Sequence, residues 1–194
     1  MSVTTVYVVR WDDPDRYQIL LYDLPEVPSA LKLFQGVSKA EGWIAPPVYS
    51  YEPRREAPDF WHLVGSGTIV MRPAVVEALG GYIHPAGELL PLRLVGHDEE
   101  LVAFNILRDV DCLNPDAYSL DELRLYTDFL PHRLPESGFF KIPQMDDLEI
   151  FVLERSDDPE TLRQAIERNG FRGLRFEPVW ASDGSVPQVN LFGL

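Results

Sequence analysis

The sequence predicts a single α+β domain over residues 1–194, with a mixed, mostly antiparallel sheet, a few short helices and a C-terminal β-α-β unit. Hydrophobic residues make up 45% of the chain and aromatic residues 11%, which favours a folded core over a disordered acidic chain. The 17 prolines argue against a long helical bundle, because proline breaks helix interiors. Within the domain we expect a hairpin and a proline-rich arm over 1–58, a core over 59–180 and a tail over 181–194.

The N-terminal part predicts two strands followed by an irregular segment. Val3–Val9 with Trp11, and then Tyr17–Tyr22, are rich in β-forming residues and flank a turn of aspartates and proline. We expect these two strands to pair as an opening hairpin. Prolines punctuate residues 24–58, which predicts an irregular arm with a short helix near Ser29–Phe34.

A strand and a helix come next. The apolar run Thr68–Met71 predicts a strand. Pro73 suits the first turn of a helix, where its missing N–H has no intrahelical partner to lose. One face of this helix carries Val75, Val76 and Leu79. Gly80-Gly81 is predicted to end the helix.

The middle of the chain predicts further strands. Leu89–Val95 contains Pro91, which places that strand at a sheet edge or puts the proline near a strand start. Leu101–Leu107 is the most hydrophobic strand candidate. Leu120–Tyr126 fits a short helix or a strand almost equally well. Phe139, Phe140 and Ile142 predict one more short strand.

The segment 147–180 carries the clearest fold signal, a strand, a helix and a second strand. Leu148–Leu153 and Leu174–Val179 have strand composition. Between them, Asp157 and Glu160 have the spacing of a capping box around Pro159. The predicted helix turns Leu162, Ala165, Ile166 and Asn169 to the core and Arg163, Glu167 and Arg168 to water, and it stops at Asn169-Gly170.

The charge balance restricts the classes of partner. With 17 basic and 31 acidic residues, the formal net charge is −14. Such a surface repels nucleic acid and anionic lipid, so we expect neither nucleic-acid nor membrane binding. A basic protein would be attracted, although high charge also serves solubility alone.

Cysteine usage and the N-terminus favour the cytoplasm. Cys112 is the only cysteine, which excludes an internal disulfide and fits a reducing compartment. The N-terminus lacks the basic region and long apolar core of a signal peptide. No run approaches the roughly 18 apolar residues that a membrane span requires. Oligomeric state is left open by these features.

The sequence contains no strong catalytic, metal-binding or cofactor-binding motif, so we expect no enzyme activity and no cofactor. The histidines at positions 62, 84, 97 and 132 form no short-spaced metal-ligand pair. Gly65-Ser66-Gly67 differs from the GxSxG nucleophile elbow and precedes a strand, whereas a phosphate-binding nest opens a helix. Cys112 follows an apolar strand end, which favours a packed thiol over a nucleophile.

Aromatic residues crowd the end of the arm and the start of the core. They are Trp43, Tyr49, Tyr51, Phe60 and Trp61. Aromatic anchors surrounded by charge are typical of protein-binding surfaces. A satellite core beneath the arm explains them equally well.

The order of apolar, glycine and aspartate landmarks resembles immunity family eleven of bacterial polymorphic toxin systems, formerly a domain of unknown function. The resemblance covers roughly residues 59–180. It is carried by Asp59-Phe60, Ile69-Val70, Val75, Glu77, Leu79, Pro91-Leu92, 104–107, 110–113, 150–152, Ile166 and 170–176. It implies a cytosolic antitoxin that binds and neutralises a cognate toxin domain, without catalytic residues of its own.

The resemblance and the acidic charge together predict a toxin-binding surface. Its candidate residues are Asp98, Glu99, Glu100, Asp146, Asp147, Trp43 and Trp61. Two other functions stay open: an adaptor or structural module of a larger assembly, and a hydrolase or transferase that uses His97 or His132 with nearby acids.

Overall fold

In a computed structural model, residues 2–13, 15–22, 36–114, 118–119, 124–125, 128–145 and 149–186 are described. The strands are β1 (Thr4–Trp11), β2 (Ile19–Tyr22), β3 (Pro47–Tyr51), β4 (Phe60–His62), β5 (Ile69–Met71), β6 (Gly87–Leu94), β7 (Glu100–Ile106), β8 (Tyr118–Ser119), β9 (Arg124–Leu125), β10 (Gly138–Phe140), β11 (Phe151–Arg155) and β12 (Leu174–Ala181). The α-helices are α1 (Pro73–Ile83) and α2 (Leu162–Asn169), and Pro131–Arg133 form a 3₁₀ turn. Two helices on mostly antiparallel sheets confirm the predicted α+β class.

A four-stranded antiparallel sheet has the order β10-β11-β1-β12. Since β11 and β12 are both antiparallel to β1, they run parallel to each other, with β1 between them. This confirms the C-terminal β-α-β unit, in which α2 connects the two parallel strands. The predicted β1–β2 hairpin is wrong, because both edges of β1 are already occupied and β2 pairs with β3 in another sheet.

Helix α2 begins later than its predicted cap. The N-cap is Thr161, which forms a capping box with Gln164, whereas Asp157, the predicted cap, accepts a hydrogen bond from the Ser2 hydroxyl. The predicted stop is confirmed, since Gly170 adopts a left-handed φ of 67°. Asn169 is exposed rather than in the core stripe, and its amide nitrogen donates to the Ala165 carbonyl.

A six-stranded sheet has the order β2-β3-β6-β7-β5-β4, with β3 and β6 parallel. Its two edges also meet: Leu20 and Leu63 form an isolated bridge, and the Val64 amide donates to the Leu20 carbonyl at 3.1 Å. The sheet therefore curls into a small barrel. The barrel interior contains Leu20, Tyr22, Val48, Trp61, Leu63, Val70, Leu90, Leu92, Leu94, Leu101 and Ala103.

The arm prediction needs correction over β3. Pro47–Tyr51 is a regular strand that pairs with β2 along its length and with β6 at Pro47 and Val48. Proline suits the start of this strand, where a missing N–H removes little of the ladder. The helix predicted near Ser29–Phe34 lies outside the described residues.

Helix α1 starts at Pro73 as predicted but continues through Gly80-Gly81 to Ile83. Val75, Leu79 and Ile83 are buried, so the apolar stripe extends one turn beyond the glycines. Burial of Ile83 stabilises the last turn by about 2 kcal/mol, which offsets the low helix propensity of glycine.

The remaining strands agree with the sequence. Strands β5, β6, β7 and β10 confirm the predictions for 68–71, 89–95, 101–107 and 139–142. The position predicted from Pro91 is wrong, because β6 lies between β3 and β7 and Pro91 is in the middle of the strand. Pro91 is tolerated because it lies where β6 pairs with β7 but not with β3, and its carbonyl accepts a hydrogen bond from Trp43 Nε1 at 2.8 Å. In an antiparallel strand the N–H and C=O of a residue point to the same side, so the missing N–H removes no ladder bond. Of segment 120–126, Arg124–Leu125 lie in a strand and the rest is outside the described residues.

The two sheets share their largest core. It joins the outer face of β4, β5 and β7 to α1, α2 and one face of the four-stranded sheet. A third cluster covers the opposite face of that sheet and contains Cys112, which is fully buried. Burial raises the pKa of the Cys112 thiol to about 12, as expected of a packed thiol.

Candidate functional site

The acidic turn, defined as residues 98–100, joins β6 to β7. Asp98 and Glu100 are exposed, whereas Glu99 is half-buried and accepts a hydrogen bond from Arg72 Nε at 2.5 Å. Arg72 also lies 3.4 Å from a carboxylate oxygen of Asp59. Glu99 therefore holds the turn against the start of α1, and the two flanking carboxylates face solvent. The other acidic candidates, Asp146 and Asp147, lie outside the described residues.

The two tryptophan candidates occupy different environments. Trp61 is 1% exposed inside the barrel, so its side chain belongs to the core and not to a contact surface. Phe60 is buried as well, on the outer face of β4 in the core that the two sheets share. Trp43 is half-buried at the rim of the barrel, where it packs against the interior cluster.

The arm is held against β6 by Glu88, a residue that the sequence did not single out. Its carboxylate accepts hydrogen bonds from Ser38 Oγ at 2.7 Å, from the Lys39 and Ala40 amides at 2.6 and 3.3 Å, and from Asn105 Nδ2 at 2.7 Å. Burial acts to raise the pKa of Glu88, but these hydrogen bonds outweigh it and the pKa lies below its ordinary value. Residues 38–40 of the arm therefore have a fixed position beside the barrel.

The outer side of β2 and β3 carries an apolar surface, which we call the tyrosine face and define as Ile19, Leu21, Tyr49 and Tyr51. The strand register places Ile19 opposite Tyr51 and Leu21 opposite Tyr49. Tyr49 and Tyr51 are 38% and 50% exposed, and the two aliphatic residues are half-buried. The sequence pointed to both tyrosines, but it did not reveal their aliphatic partners.

The tyrosine face and the acidic turn are neighbours. The parallel pairing of β3 with β6 ends with a hydrogen bond from the Val95 amide to the Val48 carbonyl, at 2.9 Å. Tyr49 follows Val48 directly, and the acidic turn starts three residues after Val95. On the other side of β6, Arg93 pairs in register with Glu100 of β7. The acidic turn and the tyrosine face therefore lie at the same end of β3 and β6, with the exposed Arg93 between β3 and Glu100.

A separate cleft of about 310 Å³ lies between the four-stranded sheet and the start of α2. In its wall, the almost buried carboxylate of Glu154 accepts hydrogen bonds from the amide and Nε of Arg163, at 2.9 and 2.8 Å. The same guanidinium donates to the Tyr7 hydroxyl at 2.7 Å and stacks 4.0 Å from the centre of its ring. These charged groups compensate one another, so their evident role is to hold α2 on the sheet.

The histidines do not converge with other ligands. His84, His97 and His132 are exposed, and His62 stacks on Trp11 with ring centroids 4.6 Å apart. Among the residues that the structure describes, no group of three or more His, Cys, Asp and Glu side chains is placed to hold a metal ion.

His62 gives the fold a pH dependence. Burial lowers the pKa of His62 below its ordinary value of 6.5. The unfolded chain therefore takes up this proton first as pH falls, so the contribution of His62 to stability is present above pH 6.5 and is lost below it, toward the folded-state pKa. We expect His62→Gln to flatten the free energy of unfolding between pH 7 and 5, measured by urea titration. An unchanged slope, or an equal change in the exposed-site control His97→Gln, would contradict this assignment.

Comparisons with known proteins do not identify a function for this protein. The sequence matches no protein-family model, and a search of curated proteins gives no match. Within the described ranges, no helix combines the length and apolar character needed to cross a bilayer. The resemblance to immunity family eleven stays a prediction from the residue pattern.

Proposed function

We propose that this protein is a non-catalytic, cytoplasmic immunity protein that binds and neutralises a cognate bacterial toxin domain. The observation that carries the proposal is the acidic turn: Asp98 and Glu100 are exposed and form no ion pair with other described residues, in a chain of net charge −14. Exposed like charges destabilise a fold slightly, and a basic partner relieves that repulsion.

Neutralisation then requires only that the protein cover the toxin's active cleft. Complementary charge accelerates encounter and orients docking, and it contributes more to the association rate than to affinity. Glu99 supports this mode of binding. Its contact with Arg72 fixes the turn, so less conformational entropy is lost when a partner binds.

The test is a binding experiment with the toxin C-terminal domain encoded beside this gene. We expect a stoichiometric complex by calorimetry, loss of the toxin's activity in that complex, and an association rate that falls as salt rises. A non-cognate toxin domain of similar isoelectric point serves as the control. Absence of a complex, or equal binding to the control domain, would contradict the proposal.

A further inference from the structure

We propose that the cleft between the four-stranded sheet and α2 binds a small zwitterion, a free α-amino acid with a polar side chain. The proposal goes beyond toxin binding and does not depend on it. The volume of the cleft, about 310 Å³, lies at the lower end of the roughly 300–1,000 Å³ that small-molecule sites occupy. Apart from Val3 and the ring of Tyr7, the lining is polar or charged, which favours a polar ligand.

The cleft is open because the core on this side of the sheet ends partway along β1. Alternate side chains of a strand share one face, so Val3, Thr5, Tyr7 and Val9 lie on the same side of β1. Val9 and Tyr7 are buried, and Val9 belongs to the core that contains α2. Thr5 and Val3 are only half-buried and line the cleft. The space beside them is therefore accessible to a ligand.

The floor of the cleft offers hydrogen-bond donors. Both carboxylate oxygens of Glu154 accept from Arg163, one from its amide and one from its Nε, so this negative charge is already paired. The guanidinium of Arg163 also donates to the Tyr7 hydroxyl. Two of the five N–H groups of the guanidinium are thus used, and the hydroxyl proton of Tyr7 has no acceptor among the described residues. The spare donors fit a ligand carboxylate.

A second guanidinium, that of Arg155, lines the cleft without a carboxylate partner. Its Nε donates to the Glu136 carbonyl at 3.0 Å and its Nη1 to Thr4 Oγ1 at 3.3 Å. Asp158 follows in the turn, but its carboxylate accepts from the Arg155 amide and not from the guanidinium. The neutral acceptors hold Arg155 in place and leave N–H groups for a charge-assisted bond to a ligand carboxylate.

The helix side of the cleft offers acceptors. Glu167 lies one turn after Arg163, is exposed, and forms no ion pair within the part of the chain that the structure describes. Asp158 contributes a carboxylate as well, with one oxygen engaged by the Arg155 amide. An ammonium group has three N–H donors and no acceptor, so it suits this side of the cleft.

The two kinds of spare group together favour a zwitterion over a simple ion. A free anion is repelled by the net charge of −14 and would leave Glu167 without a cation. A free cation would leave the Arg155 guanidinium without an anion. An α-amino acid has no net charge at neutral pH and carries both groups on one carbon atom. Its polar side chain would meet the hydroxyl and amide groups of Thr5, Ser156 and Gln164.

Isothermal titration calorimetry of the full chain with free serine, threonine and glutamine tests the site. We expect at least one of them to bind with a dissociation constant below about 1 mM. The N-acetyl derivative of that amino acid lacks the ammonium charge, and its carboxamide lacks the carboxylate. We expect each derivative to bind about tenfold more weakly or worse, because hydrogen bonds to charged groups are the stronger ones.

Variants locate the binding in the cleft. We expect Arg155→Gln and Glu167→Gln each to weaken binding about tenfold. The matched controls are Arg168→Gln, on the same helix but outside the cleft, and Glu77→Gln, at an exposed position on α1. The unfolding midpoint of each variant is recorded. If Arg155→Gln lowers that midpoint, Glu167→Gln and the two derivatives decide the outcome.

Weaker binding of both derivatives and of the cleft variants, with both controls near wild type, supports the site. Absence of binding by all three amino acids overturns it. Derivatives that bind as tightly as the free amino acid, or control variants that lose as much affinity as the cleft variants, overturn it too.

Discussion

Gly173→Ala is expected to destabilise the fold by roughly 4 kcal/mol, the largest effect we anticipate for a single methyl group. Gly173 has a φ of +115°, which side-chain-bearing residues rarely adopt, and an added Cβ would lie 2.2 Å from the Phe60 carbonyl oxygen. That oxygen belongs to backbone and has little freedom to move. The midpoint and slope of urea unfolding would measure the loss.

The close approach exists because residues 172–173 join the two sheets. The Arg172 carbonyl accepts hydrogen bonds from the Asp59 and Phe60 amides, both at 3.0 Å, and the Gly173 carbonyl accepts one from the Asp12 amide at 3.1 Å. A side chain at this point would push β4 away from the start of β12. Loss of stability should therefore be global and should not be confined to the loop.

Gly170→Ala is the matched control. Gly170 also has a positive φ, of 67°, but an added Cβ would meet nothing within 4 Å. Only backbone strain remains there, so we expect a loss of about 1 kcal/mol. Equal losses of stability for the two variants would mean that backbone strain alone determines the loss at Gly173. The Phe60 carbonyl would then move aside at little energetic cost.

The sequence predicted elements whose signals are local. Gly170 ended α2 as expected, since a left-handed residue after an apolar stripe is a feature of only a few neighbouring positions. The start of α2 was misplaced because Asp157 with Glu160 and Thr161 with Gln164 both have capping-box spacing. Local rules cannot rank two competing caps within one turn.

Strand pairing was less predictable because it depends on distant parts of the chain. The hairpin of β1 with β2 was favoured by the short connection, yet β1 instead pairs with β11 and β12, more than 100 residues away in the sequence. The same partners give β1 a fully buried centre at Val6 and Val8. An edge position in a hairpin would have left that apolar strand half exposed.

The candidate surface residues were also only partly predictable from the sequence. Composition placed tyrosines and tryptophans near one another, but burial depends on the side of the strand on which each residue falls. Trp61 points into the barrel and is buried, whereas Tyr51 points outward. Ile19 and Leu21 belong to the tyrosine face only because β2 pairs with β3. The sequence had instead predicted that β2 pairs with β1.

The second large effect is expected at the junction of α2 with the four-stranded sheet. Arg163→Met should destabilise the fold by about 2–3 kcal/mol, because it leaves the carboxylate of Glu154, which is 5% exposed, with only the backbone amide of residue 163 as a donor. Methionine keeps most of the apolar stem that covers Tyr7, so the loss reports on the charge and its hydrogen bonds and less on packing.

The neighbouring substitution Arg168→Met separates this effect from a general loss of charge on α2. Arg168 forms an ion pair with Glu160, but its side chain is 62% exposed, and such surface pairs contribute at most about 1 kcal/mol. Adding Glu154→Leu to Arg163→Met removes the stranded carboxylate and should restore much of the stability, since an apolar pair often replaces a buried ion pair without loss. If the double variant is less stable than Arg163→Met alone, the Glu154 carboxylate has a stabilising partner other than Arg163, and the junction is held by more than this pair.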